Sequence, residues 1–141
     1  MTIEELECRA ACADLLHRFA SLLDSGANRE AADLFTDDAT LTRPDGEYSG
    51  SAIRELMEGR PETIITRHML TNVIVTPQGA ESATASAYGL VFRVEGRPDD
   101  PLPRAMPEGP TAAGDWNVAF RRTDAGWRMT RWELHPKLAR R

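Results

Sequence analysis

The alternation of apolar and polar positions is most regular over residues 64–75, a stretch rich in β-branched residues that ends at the turn signal Pro77-Gln78-Gly79. Such a stretch predicts a β-strand, whose successive side chains point to opposite faces. We expect one face to carry His68, Leu70, Asn72 and Ile74, and the other to carry Met69, Thr71, Val73 and Val75. Because both faces hold apolar residues, the strand should lie inside the protein, where a histidine needs a hydrogen-bonding partner.

Helical spacing of apolar residues is clearest at the start of the chain. Thr2 and Glu5 have the spacing of a capping box, in which each side chain bonds the backbone of the other residue. From there to about Leu23 the polar residues share one side and the apolar residues the other, which predicts a long amphipathic helix. Asp24 lies at the edge of the apolar side, and Ser25-Gly26 ends the helix.

The rest of the pattern predicts two more helices and five strands. The helices are expected at residues 28–35, with Asn28 as the cap, and at 51–58. The strands are expected at residues 39–42, 64–75, 83–94, 115–122 and 127–134, with Pro136 ending the last. Three helices with one short strand among them, followed by four longer antiparallel strands, indicate an α+β fold in which the sheet wraps around the helices.

The strand at 83–94 has two unlike faces. One holds only small residues, namely Ala83, Ala85, Ala87 and Gly89, and would let a helix approach closely. The other holds Thr84, Ser86, Tyr88, Leu90 and Phe92.

The segment 96–110 is irregular and contains five of the nine prolines. A structureless insertion of this length is often a lid, a binding loop or a partner contact, and the alternative is a solvated hairpin extension. We expect it to border the mouth of a pocket or a dimer contact, and to move more than the strands around it.

Composition excludes several classes of protein. The 141 residues suit one domain, and their net charge of −5 without a basic stripe argues against nucleic acid binding. No apolar run approaches the roughly 20 residues that span a bilayer, and the acidic N-terminus lacks the layout of a signal peptide. Cys8 and Cys12 lie on one helical row as small buried residues, so we expect no metal site and a cytoplasmic location.

Five segments together resemble the SnoaL-like branch of the nuclear transport factor 2-like superfamily. They are Phe19-Ala-Ser-Leu-Leu-Asp24, Leu34-Phe-Thr-Asp-Asp-Ala39, Gly50-Ser-Ala-Ile53, Arg67-His-Met-Leu-Thr-Asn72 and Phe120-Arg-Arg-Thr-Asp-Ala-Gly-Trp-Arg-Met129. The resemblance implies a cone in which a strongly curved sheet and helices close around an apolar pocket. It also implies a homodimer.

Two positions narrow the function within that superfamily. Asp24 and His68 match an aspartate–histidine pair seen in scytalone dehydratase, bile acid dehydratase and hexachlorocyclohexane dehydrochlorinase. The resemblance implies that the two residues meet inside the cone, where a carboxylate would orient an imidazole that acts as general base. Elimination, isomerisation or ring closure on a small hydrophobic molecule follows, with no cofactor or metal required.

The chain also departs from those relatives. Phe19 and Trp132 stand where the dehydrochlorinase has a lysine and relatives often have an arginine, so a cationic cradle for a halide is not expected. The second histidine of scytalone dehydratase has no counterpart. The candidate residues for substrate binding are instead Phe19, Asn72, Tyr88, Phe92, Trp116 and Trp132, although aromatic residues are more often simply core.

Sequence alone leaves alternatives open. His68 could be a core histidine, Asp24 a turn former and Asn72 a residue that satisfies the sheet. The protein could be an enzyme, a small-molecule-binding protein without turnover, or an assembly subunit like the β subunits of ring-hydroxylating dioxygenases. We expect homodimerisation through the outer face of the sheet, because the row from Met69 to Val75 would otherwise face water.

Overall fold

The computed structural model describes residues 1–140, which form three helices and six strands. In chain order these are α1 (Ile3–Ser25), α2 (Asn28–Ala32), β1 (Phe35–Arg43), β2 (Gly46–Ser49), α3 (Ser51–Glu58), β3 (Ile64–Pro77), β4 (Ser82–Glu95), β5 (Ala112–Thr123) and β6 (Gly126–Ala139).

All six strands belong to one sheet with the order β2-β1-β6-β5-β4-β3. Strands β3 to β6 form an antiparallel meander, and β1 joins its far edge by pairing parallel to β6. The core lies between α1 and the inner face of this sheet, where Leu16, Phe19, Val118, Phe120 and Met129 are almost fully buried. The predicted α+β fold is confirmed.

Helix α1 begins and ends where the sequence predicts. Thr2 Oγ1 accepts a hydrogen bond from the Glu5 backbone N–H at 3.1 Å, and the Glu5 carboxylate accepts one from the Thr2 backbone N–H at 2.9 Å. At the other end Gly26 adopts a φ of 79°, and its N–H caps the carbonyls of Leu22 and Leu23. This left-handed glycine stops the helix just after Asp24, which fixes that carboxylate in the last turn.

The region after α1 differs from its prediction. Helix α2 ends at Ala32 rather than Phe35, and its cap is Ala27, which offers no side-chain acceptor. Phe35 instead begins β1 opposite Met129 of β6, because this buried aromatic contributes more to the core as part of the sheet. The short strand β2 was not expected from the sequence.

Pro136 does not end the last strand as predicted. Strand β6 continues to Ala139, with Pro136 opposite Gly114 and Leu138 opposite Ala113, so that β6 carries one extra residue between the pairs. A proline lacks the donor of a regular ladder but is tolerated at such a bulge. Gly114 is required there, since a Cβ would lie 2.6 Å from the His135 carbonyl oxygen.

Strand β3 contains a second irregularity, which overturns part of the predicted alternation. Asn72 has a φ of 54°, and the register with β4 shifts between Thr71 and Ile74. The bulge switches the faces of the strand, so that Val73 and Val75 turn inward while Asn72 is exposed and Ile74 is 60% exposed. Before the bulge the prediction is correct, and His68 and Leu70 face inward.

The segment from Gly96 to Pro110 packs on the outside of the sheet. It bounds a groove of about 370 Å³ against the outer face of β3 and β4, which is lined by Ile65, Met69 and Phe92 from the strands and by Leu102 and Met106 from the segment. Apart from the described turns and bends it has no helix or strand, as predicted. None of its residues lines the cavity described below, so the expectation that it borders that cavity is not met.

Candidate functional site

A cavity of about 250 Å³ lies between α1, α3 and the inner face of the sheet. Its deep walls are apolar and buried, and they are formed by Phe19, Leu23, Leu41, Met57, Trp116 and Trp132. The open end is bordered by exposed residues that include Arg93 and Pro136. Such an apolar hollow with a few polar groups is typical of a small-molecule site.

Three aromatic side chains build the back of the cavity. The Phe19 ring meets Trp116 and Trp132 edge-on at centroid distances of 6.1 Å and 5.9 Å, and the two indoles lie 5.0 Å apart. The close approach of Trp116 requires Gly89, because the indole Cδ1 would lie only 2.9 Å from a Cβ there. The small residues of β4 therefore make room for the indole as well as for α1.

Asp24 and His68 meet at the wall of this cavity. His68 Nδ1 lies 2.6 Å from Asp24 Oδ1, and the His68 backbone N–H donates to Oδ2 at 2.9 Å. The Thr66 hydroxyl donates to Oδ1 at 2.8 Å, so the carboxylate receives three hydrogen bonds from β3. The side chains are only 12% exposed for Asp24 and 16% for His68. Both residues are thus held in one geometry by the end of α1 and the start of β3.

The hydrogen bonds decide the charge of Asp24. Burial alone would raise the pKa of its carboxyl group, but the bonds from His68 and Thr66 outweigh burial and lower the pKa below the ordinary value. An ionised carboxylate only accepts hydrogen bonds, so the proton of a neutral His68 resides on Nδ1. Nε2 is then left with a free lone pair, as a general base requires.

The six candidate residues for substrate binding divide into two groups. Phe19, Trp116 and Trp132 line the cavity, and His68 contacts Trp116 edge-on at 6.2 Å. Asn72 is exposed at the bulge, Tyr88 is 58% exposed on the outer face, and Phe92 borders the outer groove. Period-two spacing places Tyr88 and Phe92 opposite the small face of β4, so the idea that they line the inner pocket is corrected.

Several polar residues of the site were not singled out from the sequence. Thr66 lies two positions before His68 on the same face of β3, and this spacing would have been enough to identify it. Arg43, Arg60 and Arg93 also line the cavity. Arg93 follows Gly89 and Val91 at the period of the inner face, but an arginine near a strand end is normally interpreted as exposed.

The acidic, histidine and cysteine side chains of the described residues are not grouped as metal ligands. Within residues 1–140 no three His, Cys, Asp or Glu side chains are close enough together to hold a metal ion. Cys8 and Cys12 are free and buried, and burial together with the neighbouring Cys8 raises the pKa of Cys12 strongly. None of the helices in that same range is long and apolar enough to cross a membrane.

Solved structures with the same architecture come from several bacteria. A candidate scytalone dehydratase from Novosphingobium aromaticivorans is 21% identical, with 99% of this chain and 91% of that chain covered and a TM-score of 0.82. An NTF2-like protein with a cystatin-like fold from the same organism is 28% identical, with coverage of 92% and 81% and a TM-score of 0.74. ActVI-ORFA from Streptomyces coelicolor is 18% identical, with coverage of 91% and 96% and a TM-score of 0.71.

Sequence comparison agrees with this architecture. A search of curated proteins gives no match. The family model of the SnoaL-like domain matches residues 4–133, which contain all but the first residue of α1, the whole of α3, the aspartate–histidine pair and the sheet as far as Glu133 in β6. The chain therefore belongs to the SnoaL-like family and has the nuclear transport factor 2-like fold.

Proposed function

We propose that the protein is an enzyme in which His68 removes a proton from a small, mainly apolar molecule and then returns it. The observation that carries this proposal is the Asp24–His68 pair at the wall of an apolar cavity. A histidine that served the core alone would be enclosed by protein on all sides. His68 instead borders a space that is large enough for a ligand.

The reaction follows from the groups present. Nε2 of His68 takes a proton from a carbon next to a carbonyl, and the electron pair of the C–H bond moves into an enolate. Asp24 stabilises the imidazolium that forms. The same proton then passes to a leaving hydroxyl in a dehydration, or to another carbon in an isomerisation. An enolate that attacks a second carbonyl of the molecule would close a ring, and the resulting alkoxide would take the proton.

The volume of the cavity limits the size of the molecule. An apolar cavity of about 150 Å³ is known to hold one benzene, and the cavity of this protein measures about 250 Å³. A compound of one or two rings therefore suits the site, and its flat faces would pack against Trp116 and Trp132.

The indole of Trp132 supports an oxygen-containing ligand. Its Nε1 is a buried donor without an acceptor in the described part of the chain, and the residue lines the cavity. Buried donors are normally paired, so a small movement of the ring toward a ligand carbonyl or hydroxyl would satisfy this group.

Proton exchange tests the proposal before the natural substrate is identified. One- and two-ring ketones would be incubated with the protein in deuterated buffer, and loss of the α-proton signal would be followed by NMR. We expect the wild type to exchange the α-proton of at least one ketone faster than buffer alone does. With His68→Ala the rate should equal that in buffer. If ketones bind and none exchanges, the protein is a binding protein and the proposed activity is wrong.

We also propose that the chain forms a homodimer through the outer face of the sheet. Because of the bulge at Asn72, the apolar residues exposed on this face are Met69, Ile74 and Tyr88 rather than the row first expected. They are 51%, 60% and 58% exposed, and they lie on adjoining strands. Pairing of two such faces would remove this surface from water.

A further inference from the structure

We propose that the site takes an anionic substrate, an apolar one- or two-ring molecule with a carboxylate, and that Arg60 and Arg93 hold the carboxylate at the open end of the cavity. This inference rests on the proposed function, because it names the class of substrate for the same site. It is carried by three arginines that line one cavity of a protein whose net charge is −5.

The three arginines come from different parts of the chain. Arg43 is the last residue of β1, Arg60 follows α3, and Arg93 lies on the inner face of β4 opposite Thr66 in the register with β3. Like charges repel, so arginine side chains that bind no ligand usually extend into water and away from one another. Their convergence at one opening indicates that an anion offsets the repulsion.

The three arginines differ in whether a carboxylate of the protein already pairs with them. Arg43 donates to Asp45 at 2.6 Å and stacks over the Tyr48 ring at 5.6 Å, so its charge is already balanced. Over residues 1–140 neither Arg60 nor Arg93 has a carboxylate within ion-pair distance. Asp24, whose charge acts on Arg60, does not line the cavity and already accepts three hydrogen bonds.

Arg60 is the more constrained of the two. The residue is half-buried, and its Nη2 donates only a long hydrogen bond of 3.4 Å to Thr66 Oγ1. Burial and the charges of Arg93 and Arg43 lower its pKa, although Asp24 acts in the opposite direction. Four of its five N–H donors have no acceptor in the described chain, and a planar carboxylate matches the guanidinium with two parallel bonds.

The same contacts place the anion close to the reacting groups. Arg60 bonds Thr66, Thr66 bonds Asp24, and Asp24 bonds His68, so the proposed anion site is three hydrogen bonds away from the imidazole. A carboxylate on Arg60 and Arg93 would thus fix one end of the substrate while its ring enters the aromatic end of the cavity. Such two-point binding sets the distance between the reacting carbon and the base.

A matched pair of ligands tests the inference without any need for turnover. Cinnamate and cinnamamide have nearly the same shape but differ in charge, and their binding would be measured by calorimetry at low ionic strength. We expect cinnamate to bind about ten-fold more tightly than cinnamamide, since a charge-assisted bond is worth about one power of ten or more. The preference should shrink as salt is added.

Substitutions show which arginines cause the preference for cinnamate over cinnamamide. The double variant Arg60→Gln/Arg93→Gln should lose about ten-fold in cinnamate affinity and retain its cinnamamide affinity, which also shows that the cavity is intact. Arg43→Gln should lose less, because Asp45 already pairs with Arg43. The control Arg122→Gln removes one positive charge, as each single substitution does, from an exposed residue outside the cavity, and both affinities should stay at the wild-type values.

The outcomes separate this inference from the proposed function. Cinnamate should bind His68→Ala with the wild-type affinity and bind the double variant Arg60→Gln/Arg93→Gln more weakly. This result supports the anion site even if no proton exchange is ever found. Equal affinities for the two ligands, no effect of the double variant, or no saturable binding of cinnamate in the millimolar range would each overturn the inference. If Arg122→Gln abolished the preference for cinnamate to the same extent, the preference would come from the overall charge of the protein and not from an anion site.

Discussion

The two faces of β3 and β4 have similar apolar content but opposite environments. On the inner face the small residues of β4 leave room for Trp116, and His68 on β3 receives a partner from α1. On the outer face Met69, Ile74 and Tyr88 are half or more exposed, and the segment from Gly96 to Pro110 covers part of the surface. One strand pair thus builds a polar site within an apolar wall on one side and a surface suited to association on the other.

A single change of direction within β3 alters which of its residues lie on each face. Up to Leu70 the inner positions are even-numbered, and after the bulge at Asn72 they are odd-numbered. Without the bulge Ile74 would be buried and Val75 exposed. The bulge therefore adds Ile74 to the outer apolar patch, whereas His68, which precedes the bulge, keeps the inward direction that the alternation predicts.

The largest change in stability is expected for Asp24→Asn, which breaks the inner face at its polar centre. Loss of charge-assisted hydrogen bonds from His68 and Thr66 should cost about 2 kcal/mol at neutral pH. The folded-state pKa of Asp24 is lowered, so its contribution is complete above the ordinary aspartate pKa of about 3.9 and disappears as pH falls through the lower value. Denaturant unfolding of the wild type and Asp24→Asn across pH measures the difference between their free energies of unfolding, which should disappear at low pH.

The matched control is Asp38→Asn. Asp38 also has a lowered pKa, because of hydrogen bonds from Arg121 and Thr36, but it lies on the exposed surface. Its substitution should change stability little at any pH. If Asp24→Asn lowered the free energy of unfolding as little as Asp38→Asn does, the hydrogen bonds between Asp24 and β3 would not stabilise the fold as described above.

A change in stability of similar size is expected when the inner face of β4 is filled. Gly89→Ala places a methyl group against the Trp116 indole, and overpacking of this kind costs about 1–3 kcal/mol. Thermal unfolding measures the loss, and ligand affinity should fall with it. Ser86→Ala, on the exposed outer face of the same strand, should alter stability by less than about 0.5 kcal/mol. Equal effects of the two substitutions would contradict the assignment of the faces.

The outer face can be tested by association instead of stability. Ile74→Ser and Tyr88→Ser remove exposed apolar surface and should halve the molar mass found by light scattering, with little change in the melting temperature. Arg122→Gln serves as the control for handling and charge. A wild-type chain that is monomeric at micromolar concentration would exclude the proposed dimer.

The smallest effect on the site is expected from the segment on the outer face. Replacement of residues 97–107 by a short glycine-containing hairpin should preserve the fold and leave cinnamate affinity unchanged, because none of these residues lines the cavity. Calorimetry with the shortened chain measures this. A large loss of affinity would show that the segment reaches the cavity in solution.

The sequence predicted the parts of the fold that depend on local signals. The capping box at Thr2, the glycine that ends α1 and the long strands all follow from residues close together in the chain. The meeting of Asp24 with His68 is non-local, and it came from the resemblance to the superfamily.

The parts that were missed depend on pairing partners that the sequence does not show. The bulge at Asn72 has a positive φ, which asparagine adopts more readily than most residues, but the regular alternation around it does not show where the register shifts. Phe35 joins the sheet because Met129, which is 94 positions further on, lies opposite it. The arginines of the cavity converge from separate elements, and each alone is typical of a solvated residue.

The central claim, that Asp24 and His68 act as one general base, is tested most directly by the proton-exchange rates of a complete set of variants. Exchange of the best ketone would be measured by NMR in the wild type, Asp24→Asn, His68→Ala and the double variant. We expect His68→Ala to abolish exchange and Asp24→Asn to slow it by about two to four powers of ten. The double variant should be no slower than His68→Ala, since groups that act as a unit are not additive. Exchange at the wild-type rate in His68→Ala, or losses that simply multiply, would contradict the account.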